Sequence, residues 1–150
     1  MKIGVNMTGT NIEDWAGSEQ YLAEFEDVWD DYRHMVSRGI TTYSDIQVRD
    51  LFQKLSIITA HSEMRLSVVE AKRDAAKLSL SLTQGILLRR YTNGAMNKRM
   101  AEVAGDTDYE IELKKYSDCE DDVTIAKGST KASSTAANAL SREISSRLKN

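Results

Sequence analysis

No proline occurs in this 150-residue chain, and it holds one cysteine, Cys119, and two histidines, His34 and His61. Proline punctuates loops and strand edges and breaks helices, so its absence favours long uninterrupted helices. A lone cysteine excludes an intramolecular disulfide. Glycine is sparse and gathers near Gly94, Gly105 and Gly128, where it reads as punctuation between elements. No stretch approaches the run of about 18 apolar residues that a membrane span needs. The opening segment MKIGVNMTGTNIEDW lacks the apolar core of a secretory signal. The expectation is a cytoplasmic protein with no membrane partner.

Catalytic sets are missing as well. There is no Ser–His–acid constellation, HExxH pair or phosphate-binding glycine loop. Neither histidine has a partner at metal-ligand spacing. The acidic run Asp118, Glu120, Asp121 and Asp122 lacks the glycine-turned oxygen loop of an EF-hand and reads as a solvated helix surface. The sequence therefore predicts no enzymatic activity, no cofactor and no metal.

What the chain does have is charge, unevenly spread. Its net charge is −3, but residues 1–40 carry eight acids against three bases, residues 41–100 five against ten, and residues 101–150 ten against seven. The positive charge sits in the middle of the chain, and that asymmetry is the first functional clue.

Hydrophobic spacing gives the organisation. Residues 1–40 read as a polar arm followed by an acidic amphipathic helix over 17–38. Tyr21, Leu22, Phe25, Val28, Trp29, Tyr32 and Met35 share one of its faces at spacings of three and four. Gly39 closes it as a left-handed terminal residue. Thr41 or Thr42, with Asp45 beyond, reads as the next N-cap. From there to Asn93 only Gly85 interrupts a helix of some 50 residues, too long for a lone compact globule. Met64, Val68, Ala71, Ala75, Leu78, Leu82 and Gly85 mark a 3.5-residue seam along it. Leu51, Leu55 and Ile58 lie on a different face, which predicts that the first half packs on the acidic helix. A second seam runs through Tyr116, Cys119, Val123, Ala126, Thr130, Ser133, Ala137, Leu140 and Ile144, and its phase carries the helix across KGSTKASSTAANA. The predicted fold is all-α: a short acidic helix over residues 1–40, then a long antiparallel, coiled-coil-like hairpin over 41–150 that turns near 92–107. Seams built from such small residues bury little area each, so a homo-oligomer is expected.

The bases follow the helix period. Lys54, Arg65, Lys72 and Arg90 are spaced close to whole helical turns and form one stripe. Lys131, Arg142 and Lys149 repeat part of that spacing on the other arm. Arg89, Arg90, Tyr91, Lys98 and Arg99 gather at the hairpin tip. A line of guanidinium and ammonium groups can track a phosphate backbone, and a neighbouring aromatic can stack on a base. The same charges also fit a solvated helix face with i,i+4 partners, such as Glu70 and Asp74 beside Lys72, Arg73 and Lys77.

In order and spacing, the stretches EMRLSVVEAKRDAAKLSLSLTQGILLRRYTNG, NKRMAEVAGDTDYEIELKKYSDCEDD and ALSREISSRLKN resemble phage recombination mediators of the UvsY type over about residues 45–150. There a long basic helix ends in an aromatic–glycine turn, with a second long helix beyond it. The resemblance implies a helical oligomer that binds single-stranded DNA and helps load a recombinase, with the basic–aromatic helix end at Arg89, Arg90, Tyr91 and Gly94. It would place the protein in the host cytoplasm, with the acidic helix 17–38 as the surface for a recombinase or another phage protein. The alternative is a phage structural or adaptor protein, located in the virion, whose hairpins pack into a ring or bundle.

Overall fold

A computed structural model describes residues 19–149, so the polar arm and Trp15 lie outside the described residues. Four α-helices and one 3-10 turn account for nearly all of them: α1 (Glu19–Arg38), the 3-10 turn (Ile40–Thr42), α2 (Asp45–Arg90), α3 (Met96–Ala104) and α4 (Thr107–Arg147). No strand occurs among the described residues. The all-α class and the two long helices packed on each other are as the sequence predicts. Among the described residues, the chain contacts divide into two compact units, residues 19–65 with 128–149, and residues 66–127.

In the first unit α1 ends at Gly39, whose φ of +88° is open to glycine at low cost. The following helix is not capped by Thr41 or Thr42, which lie in the 3-10 turn. The cap is Ser44. Its Oγ accepts the Gln47 N–H at 3.4 Å, while Gln47 Oε1 accepts the Ser44 N–H at 3.0 Å. That reciprocal box satisfies two orphan donors of the first turn. Tyr43 is extended (φ −94°, ψ 149°), so the chain leaves the 3-10 turn before α2 begins.

The core of this unit gathers Met35 from α1, Val48, Leu51 and Leu55 from α2, and Ala136, Ala137 and Leu140 from α4. Val28, Trp29 and Tyr32 pack against it from α1, on the face that the spacing predicts. Phe25 stacks on Trp29 at 6.1 Å, and Trp29 meets Tyr32 at 5.5 Å, a ladder up one side of α1. Arg147 ties the ends together. Its Nη1 donates to Tyr43 O (2.8 Å) and Asp45 Oδ1 (2.7 Å), Nη2 to Ile40 O (2.8 Å), and Nε to Glu143 Oε1 (2.7 Å). Asp45 and Glu143 hold its pKa above the ordinary arginine value. The α2 and α4 segments of this unit run antiparallel. Ser133, fully buried, turns its hydroxyl back to Ser129 O and Thr130 O at 3.0 and 3.1 Å.

Gly128 is helical and exposed, and a Cβ built there meets nothing within 4 Å. Gly128→Ala should therefore stabilise the protein by about 1 kcal/mol through helix propensity alone. A rise in the urea midpoint without a change in slope checks this.

In the second unit α2 and α4 are again antiparallel. Lys127 Nζ sits 3.4 Å from Glu70 Oε1, Ser79 Oγ donates to Glu112 Oε2 at 2.7 Å, and Tyr91 meets Asp106. The α4 seam faces inward as its spacing predicts, with Val123 and Ala126 buried and Tyr116 and Cys119 half-buried. On α2 the inward face differs from the predicted one. Leu66, Val69, Arg73, Ala76, Leu80, Thr83 and Leu87 are half-buried or buried, whereas of the predicted seam Val68 is half-buried and Ala71, Ala75, Leu78, Leu82 and Gly85 are exposed. Met64, the first residue of the predicted seam, is 41% exposed in the first unit.

Candidate nucleic-acid interface

The tip of the second unit is built by three local decisions. Gly94, at φ +99°, reverses the chain after α2, and a Cβ there would come within 3.1 Å of the Lys98 side chain. Arg99, on α3, sends Nε to Tyr91 O at 2.5 Å and Nη2 to Leu88 O. Leu88 O belongs to the last turn of α2 and Tyr91 O lies just past it, where intrahelical partners run out, and a cation there also suits the helix dipole. Asp106 then caps α4, its Oδ1 accepting the Asp108 N–H at 2.9 Å, while its Oδ2 accepts the Tyr91 hydroxyl at 2.7 Å. Arg90 Nη1 lies 3.9 Å from the same carboxylate.

The tip thus gathers Arg90, Tyr91 and Arg99 around two backbone ends and one aspartate. Arg89 and Lys98 are exposed beside them, while Tyr91 is half-buried. Arg99 is committed to those two carbonyls, so its charge is spent on holding α3 in place. Between Asp74 and Glu102 the chain carries five cations and no acid. Elsewhere the stripe is mixed. Lys54, in the first unit, pairs with Asp50 at 2.9 Å, and that bond raises its pKa. Arg65 is half-buried, and Lys72 is exposed. Arg73, not in the predicted stripe, lies on the inward face of α2 and bonds Asp74 at 2.7 Å. Spacing did not single out Asp106, although an aspartate after Gly105 and before a helical run is an N-cap signal.

Tyr91 and Asp106 make the tip pH-sensitive in both directions. The Tyr91 hydroxyl, the Asp108 N–H and Arg90 lower the Asp106 pKa, and the bond to Asp106 raises that of Tyr91. A depressed carboxyl contributes stability above its unfolded pKa and loses it as pH falls through the folded one. A raised phenol contributes below its unfolded pKa and loses it as pH rises through the folded one. The tip should be tightest between about pH 4 and about pH 10. Amide exchange of residues 88–108 should accelerate beyond its intrinsic pH dependence on either side of that window, and Tyr91→Phe should remove the alkaline arm while leaving part of the acid arm.

A shallow groove beside the tip is lined by Thr83, Ile86, Leu87 and Arg90 of α2 and by Asp108, Ile111 and Glu112 of α4. Among the described residues, no group of three His, Cys, Asp or Glu is placed to hold a metal ion, and no helix is long and apolar enough to cross a membrane. His34 Nδ1 lies 3.3 Å from Asp30 O on exposed α1 surface, and burial lowers the pKa of half-buried His61. No protein-family model, curated protein or solved structure matches this chain.

Proposed function

We propose that this chain is a non-catalytic, self-associating accessory protein that holds single-stranded nucleic acid at the basic tip of its helical hairpin. One observation carries the reading: Arg89, Arg90 and Lys98 are exposed at a tip whose stretch from Ala75 to Ala101 contains no acid, and Arg99 braces that tip from inside. The contacts are to phosphate, so binding is sequence-tolerant, and the fixed Tyr91 offers a ring edge beside them. Lys72, exposed on α2 in the same unit, supplies a secondary contact. A single tip has few charges, and joining several in one oligomer raises affinity through avidity. On this reading the exposed acids of α1, Glu26, Asp27, Asp30 and Asp31, engage a basic partner protein, in keeping with a recombination mediator that loads a recombinase.

The test is anisotropy of a labelled oligo-dT at low salt. The triple change Arg89→Ala/Arg90→Ala/Lys98→Ala should weaken binding at least tenfold, while Lys131→Ala/Arg142→Ala should leave it nearly unchanged. Equal losses from both sets would leave only diffuse electrostatics and end the assignment of a tip site. A second reading, an assembly protein whose hairpins pack into a bundle, is favoured by the exposed apolar face of α2. No binding of the wild type, together with stable self-association, would select it.

A further inference from the structure

The outward face of α2 in the second unit is more apolar than the structure of one chain explains. Ala71, Ala75, Leu78, Leu82 and Gly85, all exposed, follow half-buried Val68 at steps of three, four, three, four and three, the 3.5-residue repeat of a packing seam. This row is displaced by two residues from the inward seam, about 200° around the helix, so it points away from α4. Leu78, Leu82 and Ile86 are 62%, 60% and 61% exposed. No charged residue lies between Lys77 and Arg89. Gly85 sits within this row with nothing within 4 Å of a Cβ and no positive φ, so nothing inside the chain calls for glycine there.

We infer that this face binds a second copy of the same chain, α2 against α2, antiparallel about a two-fold axis midway between Ala75 and Leu78. The inference deepens the self-association of the proposed function and does not depend on nucleic-acid binding. The row is self-complementary under that operation. Leu78 falls opposite the partner's Ala75, Leu82 opposite the partner's Ala71, and Val68 opposite the partner's Gly85. Each layer joins a larger side chain to a small one, and each contact is repeated by symmetry, as an isologous interface requires. A parallel pairing would instead set leucine on leucine and alanine on alanine. The flanks agree, since Lys72 falls beside the partner's Ser79 and Asp74 beside the partner's Ser81, and no like charges meet.

The exposed apolar side chains of this row, with Ile86 at its edge, offer on the order of 500 Å² per copy. The pair therefore covers on the order of 1,000 Å², the threshold of a specific interface. The resulting dimer carries its two basic tips at opposite ends of the α2 pair, about 40 Å apart along the helices.

Sedimentation equilibrium of the full chain tests this, with far-UV circular dichroism as the folding control. The wild type should approach the dimer mass as concentration rises. Leu78→Glu/Leu82→Glu should weaken association at least a hundredfold while its helix content stays unchanged, because both side chains are already exposed to water in one chain. A wild type that is monomeric throughout overturns both self-association and this surface. An oligomer that survives the double change overturns this surface alone. Orientation is read in a Cys119→Ser background by mixing Ala75→Cys chains with Leu78→Cys chains and adding a short bis-maleimide. Mixed cross-links should dominate, and predominant Leu78→Cys self-cross-linking would overturn the antiparallel arrangement.

Discussion

Replacing Leu140 with alanine should cost about 3–5 kcal/mol of unfolding free energy and lower Tm by roughly 10 °C. Leu140 is fully buried in the core of the first unit. The cost belongs in the upper part of the large-to-small range because the site collapses poorly. Its α4 neighbours in that core, Ala136 and Ala137, are already small and cannot swing into a void. Val48, Leu51 and Leu55 are held in register on α2, whose first turn is fixed by the Ser44–Gln47 box. Leu140→Met, close in volume, should cost less than about 1.5 kcal/mol. Calorimetry and urea titration of the two variants side by side check the prediction, and equal small losses would show that this cluster is not the main core.

Removing Arg99 should have the next largest effect, and a local one. Its guanidinium donates to Leu88 O, in the last turn of α2, and to Tyr91 O just beyond it. Arg99→Ala deletes two charge-assisted bonds and leaves half-buried carbonyls without their donor, a loss of about 2–3 kcal/mol. Arg99→Lys should recover little, because one ammonium does not reproduce a planar fork reaching two carbonyls at once. The readout is amide exchange, with protection falling in residues 87–104 and holding in the first unit. Nucleic-acid affinity should drop too, although Arg99 itself touches no phosphate in this account, because Lys98 and Arg89 lose their fixed spacing.

The helical class, the two long helices and the α4 seam are legible from spacing because Val123, Ala126, Ala137 and Leu140 are apolar or small at every inward step. The face of α2 is not. Its inward seam in the second unit includes Arg73 and Thr83, whereas its exposed row includes Leu78 and Leu82 and no charged residue. Periodicity finds the row that no polar side chain interrupts, and on a helix with two apolar rows that one need not face the chain's own core. The N-cap of α2 went to a threonine for a related reason. A cap is recognised by its partner three residues on, and only Ser44 has a glutamine there.

At the tip, spacing groups Arg89, Arg90, Tyr91, Lys98 and Arg99 but says nothing of their division of labour. That depends on the turn at Gly94 and on the carbonyls left open at the end of α2, which only the folded chain displays. Asp106 shows the same limit, since its link to Tyr91 crosses fifteen residues.

The central claim is that the basic tip holds single-stranded nucleic acid through phosphate contacts. Its most direct measurement is the affinity of the wild type for oligo-dT as a function of salt. Three exposed cations per tip predict a plot of log K against log salt with a slope of about −2, each phosphate contact contributing about −0.7. A slope near zero, or no binding at low salt, would contradict the claim.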